Sequence, residues 1–131
     1  GTARGSRIAD ETMLMCGKTG TSQVRNISAA ERASGVVSND QLPWNRRDHA
    51  LFVGYAPADN PRYAVSVVVE HGGGGSAVAA PIARDALLRA LYGEIPPLTA
   101  YPADQRGRME TLLKELPLRR PDGSLPESSK V

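Results

Sequence analysis

The chain has 131 residues, enough for one domain, and 40% hydrophobic with 23% charged residues makes it globular by composition. Only 5% of residues are aromatic, with one Trp and one Phe, so a core must rest on Val, Leu, Ile and Ala. The formal charge of +2 is carried by scattered arginines, which excludes a basic face for nucleic acid and a polybasic run for an anionic membrane. Cys16 is the only cysteine, so no internal disulfide can form. No apolar run reaches the ~20 residues that cross a bilayer. The chain opens on Gly1 without a signal-peptide pattern, and the expectation is a piece of a longer protein or one whose targeting segment is gone.

In chain order, residues 18–24 combine β-branched and hydroxyl side chains and predict a strand. Residues 25–48 turn polar and predict a long loop, with a helical turn around 29–33. Loops of that length in compact domains are functional or disordered. Residues 49–56 and 63–70 predict two strands, and the turn-prone stretch 57–61 joins them as an antiparallel hairpin. Val65, Val67 and Val69 alternate onto one buried face. After Gly72, Gly73, Gly74 and Gly75, the spacing of Val78, Ile82, Leu87, Leu88 and Leu91 predicts a helix. It begins near Ala79 or Ala80, because Pro81 is tolerated only in a first turn, and Gly93 ends it. Beyond Pro96 and Pro97 one short amphipathic stretch carries Met109, Leu112, Leu113 and Leu116. Pro117, Pro121, Asp122-Gly123 and Pro126 then break regular structure, so residues 99–131 are expected to form a tail.

The informative segment is Gly17-Lys18-Thr19-Gly20-Thr21-Ser22-Gln23-Val24. A Lys-Thr-Gly triplet alone is weak, but a strand carrying it, a long polar loop, a hairpin and an amphipathic helix follow in the order seen in serine acyltransferases. Together with Arg47-Asp48-His49-Ala50-Leu51-Phe52-Val53-Gly54-Tyr55-Ala56-Pro57 and Val69-Glu70-His71-Gly72-Gly73-Gly74-Gly75, the segment resembles the class B penicillin-binding proteins, closest to their elongation type.

The resemblance implies an α/β (α+β) fold. Residues 1–98 would be the C-terminal portion of a transpeptidase domain, with an antiparallel sheet and a C-terminal helix, incomplete in this chain. It implies peptidoglycan cross-linking: a serine attacks the D-alanyl-D-alanine carbonyl, releases D-alanine and passes the acyl group to a neighbouring stem peptide's amine. β-Lactams acylate that serine. Lys18 matches the lysine whose cation helps hold the substrate carboxylate and shapes proton transfer. Thr19 and Thr21 match hydroxyls that bind the same carboxylate, and Gly20 lets substrate backbone lie close to the strand. The Thr21 N–H matches an oxyanion-hole donor. No Ser-x-x-Lys and no Ser-x-Asn occurs in the chain, and only 17 residues precede Lys18, so the nucleophile is expected upstream. This chain alone is expected to be inactive. The implied partners are stem peptides, β-lactams, the upstream part of the same domain or an oligomeric mate, and the elongation machinery, with no cofactor or metal. The implied setting is an inner-membrane-anchored parent with this domain in the periplasm.

Two rivals stay open: a β-lactam-hydrolysing or carboxypeptidase relative, and a non-catalytic β-lactam sensor or scaffold. Around the motif, Cys16 reads as a small buried hydrophobe, and His49 and His71 as hydrogen-bonded structural histidines. The four glycines lack the Gly-Lys-Ser/Thr ending of a phosphate loop and read as a flexible turn. Trp44 either packs over the edge of the site or shields the core. Three strands and one helix leave one sheet face bare, so the chain is expected to fold stably only with complementary polypeptide or as an oligomer.

Overall fold

The computed structural model describes residues 1–115 and 122–124. Three strands, β1 (Cys16–Ser22), β2 (His49–Ala56) and β3 (Tyr63–Val69), form one antiparallel sheet in the order β1-β2-β3. The expected hairpin is β2 and β3. β1 lies two residues upstream of the expected 18–24 because its partner sets its limits: Cys16 faces Tyr55 and Ser22 faces His49, where β2 begins. Past that point the Val24 amide leaves the ladder and donates to the Asp48 carboxylate at 3.3 Å.

Alternation across the pleat assigns two faces. On one, Ala50 and Phe52 of β2 pack with Ala79, Ala80 and Ala83 into a buried cluster joined by Val65, Val67 and Val69. This is the face expected for the β3 valines. Thr19 and Thr21 share it, since their partners are Phe52 and Ala50. Gly17 and Gly54 face each other beneath the Phe52 ring; a Cβ on Gly17 would stand 2.3 Å from the ring, and one on Gly54 2.7 Å. The opposite face carries Cys16, Lys18, Gly20, Leu51, Val53, Tyr55 and Val68, and it is bare: Val53 is 53% and Val68 59% exposed. Cys16 therefore departs from the buried reading. It is half-buried beside Tyr55, whose phenol it hydrogen-bonds and holds above the ordinary range.

A π-helical turn, Gly75–Ala79, leads into helix α2 (Ala80–Tyr92), with Pro81 in its first turn and Gly93 closing it in the left-handed region at φ +71°. The buried stripe is Ala80, Ala83, Leu87, Leu88 and Leu91, while Ile82 is exposed. Small alanines let this helix lie close on the sheet, which the larger Ile82 would prevent. Arg84, 3% exposed, is the polar group within the stripe. Its guanidinium lies 5.0 Å over the Tyr101 ring, donates to Asp85 at 2.9 Å and reaches Gln105 at 2.6 Å, and Gln105 donates to the Gly5 carbonyl at 2.6 Å.

That network runs on past residue 98. Ala100, Tyr101 and Met109 are buried in one cluster with Ile8, Leu87, Leu88 and Leu91, so a boundary between 98 and 99 would cut a core. Helix α3 (Arg106–Glu115) supplies Met109, and the Ala9 amide donates to the Ala100 carbonyl at 2.7 Å. The sequence hid this because the anchor is one tyrosine between prolines, with no periodicity to announce it. The expected breaks at Pro117, Pro121 and Pro126, and Leu116 of the amphipathic stretch, lie outside the described residues.

The long loop holds the short helix α1 (Ala29–Ser34), whose Ser28 hydroxyl accepts from the Glu31 amide at 3.1 Å as an N-cap. Glu31 is taken by Arg25 in a two-pronged pair at 2.6 and 2.8 Å. Further along, Asn39 and Asp48 bond reciprocally: the Asp48 amide donates to Asn39 Oδ1 at 2.8 Å, and Asn39 Nδ2 to Asp48 Oδ2 at 3.2 Å. The loop is therefore braced against the mouth of the hairpin.

Candidate active site

The strand that carries Lys18, Thr19, Gly20 and Thr21 is at the sheet's edge. Among the described residues its outer side has no strand partner. Which backbone groups face that side follows from Gly75. A Cβ built there would lie 2.4 Å from the Leu51 carbonyl oxygen, 2.5 Å from that of Gly20 and 3.1 Å from the Gly20 nitrogen. Two carbonyl oxygens that close to one point belong to a hydrogen-bonded antiparallel pair, so Gly20 turns its N–H and C=O toward β2. Alternation then turns the N–H and C=O of Thr19 and Thr21 outward, to the free edge.

The side chains converge on the same edge from opposite faces. Lys18 lies on the bare face, yet its Nζ donates to the outward Thr19 carbonyl at 2.8 Å, which brings the ammonium to the edge. From the helix-covered face, the Thr19 hydroxyl lies 3.1 Å from that of Thr2. Beside the edge is a cleft of about 460 Å³ lined by Thr2, Arg4, Arg7, Lys18 and Thr19. Three cations around one cleft suit an anionic group. Gly20 is not required by packing, since a Cβ there would meet Leu51 Cβ at an ordinary 3.4 Å.

The histidines are structural, as expected. The His71 amide donates to His49 Nδ1 at 2.9 Å, and His71 Nδ1 donates to the Arg47 carbonyl at 2.9 Å, so that nitrogen carries the proton. Trp44 sets its ring 4.6 Å from that of His71 and remains 61% exposed, so it neither shields the core nor lines the cleft. Among the described residues no three His, Cys, Asp or Glu side chains gather as metal ligands, and no helix is long and apolar enough to cross a membrane. Sequence reading missed the Arg4 and Arg7 contribution, because an arginine ten or more residues from a motif carries no local signal. It noticed the glycine run but took it for a flexible turn; Gly72 and Gly75 are instead packed so closely that neither has room for a Cβ.

Residues 1–88 match the family model described as the penicillin binding protein transpeptidase domain. The peptidoglycan D,D-transpeptidase MrdA of Haemophilus influenzae is 38% identical over 101 residues, which cover 77% of this chain and 15% of that protein. The MrdA of Acinetobacter baumannii is 42% identical over 86 residues, covering 63% of this chain and 12% of the relative. A solved complex of penicillin-binding protein PBP2 with MreC from Helicobacter pylori superposes with a TM-score of 0.50 at 28% identity, over 71% of this chain and 14% of that one. The chain thus spans about 15% or less of the length of these relatives. A three-stranded antiparallel sheet backed by a helix, the Lys-Thr-Gly edge strand and the match over residues 1–88 agree, and the chain belongs to the penicillin-binding protein transpeptidase family.

Proposed function

We propose that this chain supplies one wall of a serine D,D-transpeptidase site that cross-links peptidoglycan, the nucleophilic serine belonging to polypeptide upstream in the full-length protein. The observation that supports the reading is the free edge of β1, along which Thr21 turns its N–H outward and Lys18 lines a cleft together with Arg4 and Arg7. A D-alanyl-D-alanine terminus laid along that edge would meet cations at its carboxylate and an N–H donor at its scissile carbonyl.

In this reaction the serine oxygen bonds to the penultimate D-alanine carbonyl carbon, and the oxygen charge that develops accepts from Thr21 N–H. A donor so placed is worth about 3 kcal/mol in the transition state. The C–N bond breaks, D-alanine leaves with a proton on its amine, and a neighbouring stem peptide's amine then displaces the serine. Lys18, with the Thr19 and Thr21 hydroxyls, holds the terminal carboxylate. A β-lactam follows the first half of this path and stops at the acyl-enzyme. The proposal extends to an elongation-type parent, its catalytic domain in the periplasm and its anchor in the inner membrane; a PBP2 solved in complex with MreC supports a protein partner of that kind.

The test is covalent labelling of the full-length protein by a fluorescent penicillin, with Lys18→Ala and Thr19→Val beside the wild type. Loss of one charged hydrogen bond predicts labelling slowed by about tenfold to a hundredfold in Lys18→Ala. Undiminished labelling of both folded variants would reduce the triplet to a plain strand. Labelling without turnover of a stem peptide would favour a sensor, and release of the acyl group to water a hydrolase.

A further inference from the structure

The four glycines between β3 and α2 are not equivalent. Gly72 is packed against the Val69 and Ala50 side chains, and Gly73 adopts φ +83° with its amide donating to the Asp48 carbonyl at 2.9 Å. Gly74 has room, its nearest neighbour to a built Cβ being Ala77 at 4.0 Å. Gly75 is buried, and the place a Cβ would take there is bounded by backbone alone, the Leu51 and Gly20 carbonyl oxygens and the Gly20 nitrogen. It is also the first residue of the π-helical turn, a form uncommon in proteins and frequent at functional sites. From behind, that turn is fixed by Ala79, fully buried among Ala50, Phe52, Ala80 and Ala83.

The Gly20 carbonyl and the Thr21 N–H are the two ends of one planar peptide unit and point in opposite directions. The end held between β2 and Gly75 therefore dictates where the other end, at the free edge, is aimed. We propose that Gly75 is a positioning residue for acyl transfer, acting as a backstop that sets the orientation of the Gly20–Thr21 peptide and so of the oxyanion donor. The inference rests on the transpeptidase reading above. A Cβ at Gly75 must push the Gly20 oxygen outward from 2.5 Å, tilting the peptide and misaiming Thr21 N–H. Misplacement on the order of 1 Å costs about a hundredfold in rate.

The experiment compares wild-type full-length protein with Gly75→Ala and Gly74→Ala. It measures penicillin binding and acylation as separate constants, and the infrared stretch of the acyl-enzyme carbonyl, labelled with carbon-13. Gly75→Ala is expected to lower the acylation rate constant by about ten- to a hundredfold and to move the carbonyl stretch to higher frequency, as a less hydrogen-bonded carbonyl does. Gly74→Ala is expected to change neither. A merely structural role would reduce the amount of active protein without moving the stretch, and that result overturns the proposal. Should Gly75→Ala not fold, Ala79→Gly loosens the same turn without a clash; a smaller upward shift supports the proposal and an unmoved stretch overturns it. Failure of the wild type to acylate would strike the transpeptidase reading itself, whereas wild-type acylation with an unshifted Gly75→Ala stretch strikes the backstop alone.

Discussion

Gly20 and Gly75 are backbone neighbours, and they show how the same residue type serves two purposes: a Cβ added at Gly75 would stand 2.5 Å from the Gly20 carbonyl oxygen. At Gly75 packing forbids a side chain; at Gly20 packing permits one, so any need for glycine there comes from what lies against the edge. Gly20→Ala in the full-length protein is expected to leave the unfolding midpoint within the range of neutral surface changes, about 0.5 kcal/mol, while slowing penicillin acylation at least about tenfold. Equal loss of stability and acylation would contradict this assignment. A second pair of residues, Asp10 and Tyr92, ties the lead-in of β1 to the end of α2. The Tyr92 hydroxyl donates to Asp10, which also accepts from the Thr12 amide and hydroxyl at 2.9 and 2.7 Å. The Tyr92 bond, then those from Thr12, holds the Asp10 carboxyl below its ordinary 3.8, and burial followed by Asp10 pushes Tyr92 up to about 12. The carboxylate thus stabilises the fold above pH 3.8 and that contribution is lost as pH falls through its lowered value. The phenol's contribution is complete below pH 10.0 and is lost as pH rises toward about 12. Tyr92→Phe is expected to cost about 1 kcal/mol at neutral pH, to abolish the alkaline loss and to shrink the acid one, as melting across both pH limbs would show.

Among the secondary-structure elements, the hairpin and α2 were readable because period-two valines and a Pro–Gly-bounded apolar run are local signals. The limits of β1 were not, because they are set by where β2 begins, thirty residues away in sequence. The packing of residues 98–115 was not legible for a related reason: Tyr101 is held by Arg84 and Ile8, neither of them a neighbour in the chain. Tyr101→Ala is expected to destabilise the full-length protein by about 3–5 kcal/mol in denaturant unfolding, as removal of a buried aromatic ring does. A change under 1 kcal/mol would mean that the ring adds little to the core. The loop from 23 to 48 was legible as a loop, but its Asn39–Asp48 brace was not, since two common polar residues nine apart mark nothing in sequence.

The assembled sheet has one finished face and one bare one, where Val53, Val68 and Tyr55 stand exposed. Such a patch draws a partner or aggregates. The 131-residue chain alone is expected to associate in a concentration-dependent way, and the double variant Val53→Thr, Val68→Thr to stay monomeric longer by analytical ultracentrifugation. In the full-length protein the same pair should instead destabilise by about 1–3 kcal/mol for each hydroxyl buried without a partner. If the pair is neutral there, the face is open to water in the native protein as well.

The candidate site divides along the same line. The triplet Lys18-Thr19-Gly20, its strand and its family were legible because motif, hairpin and helix are each encoded in a short stretch of neighbours. The order of pairing, the free edge, and the meeting of Lys18 with Thr19 from opposite faces are products of register, which a strand acquires only from its partner. So is the hold that Gly75 has on Gly20: these residues are fifty-five positions apart, and only packing of the π-helical turn on the sheet brings their backbones together.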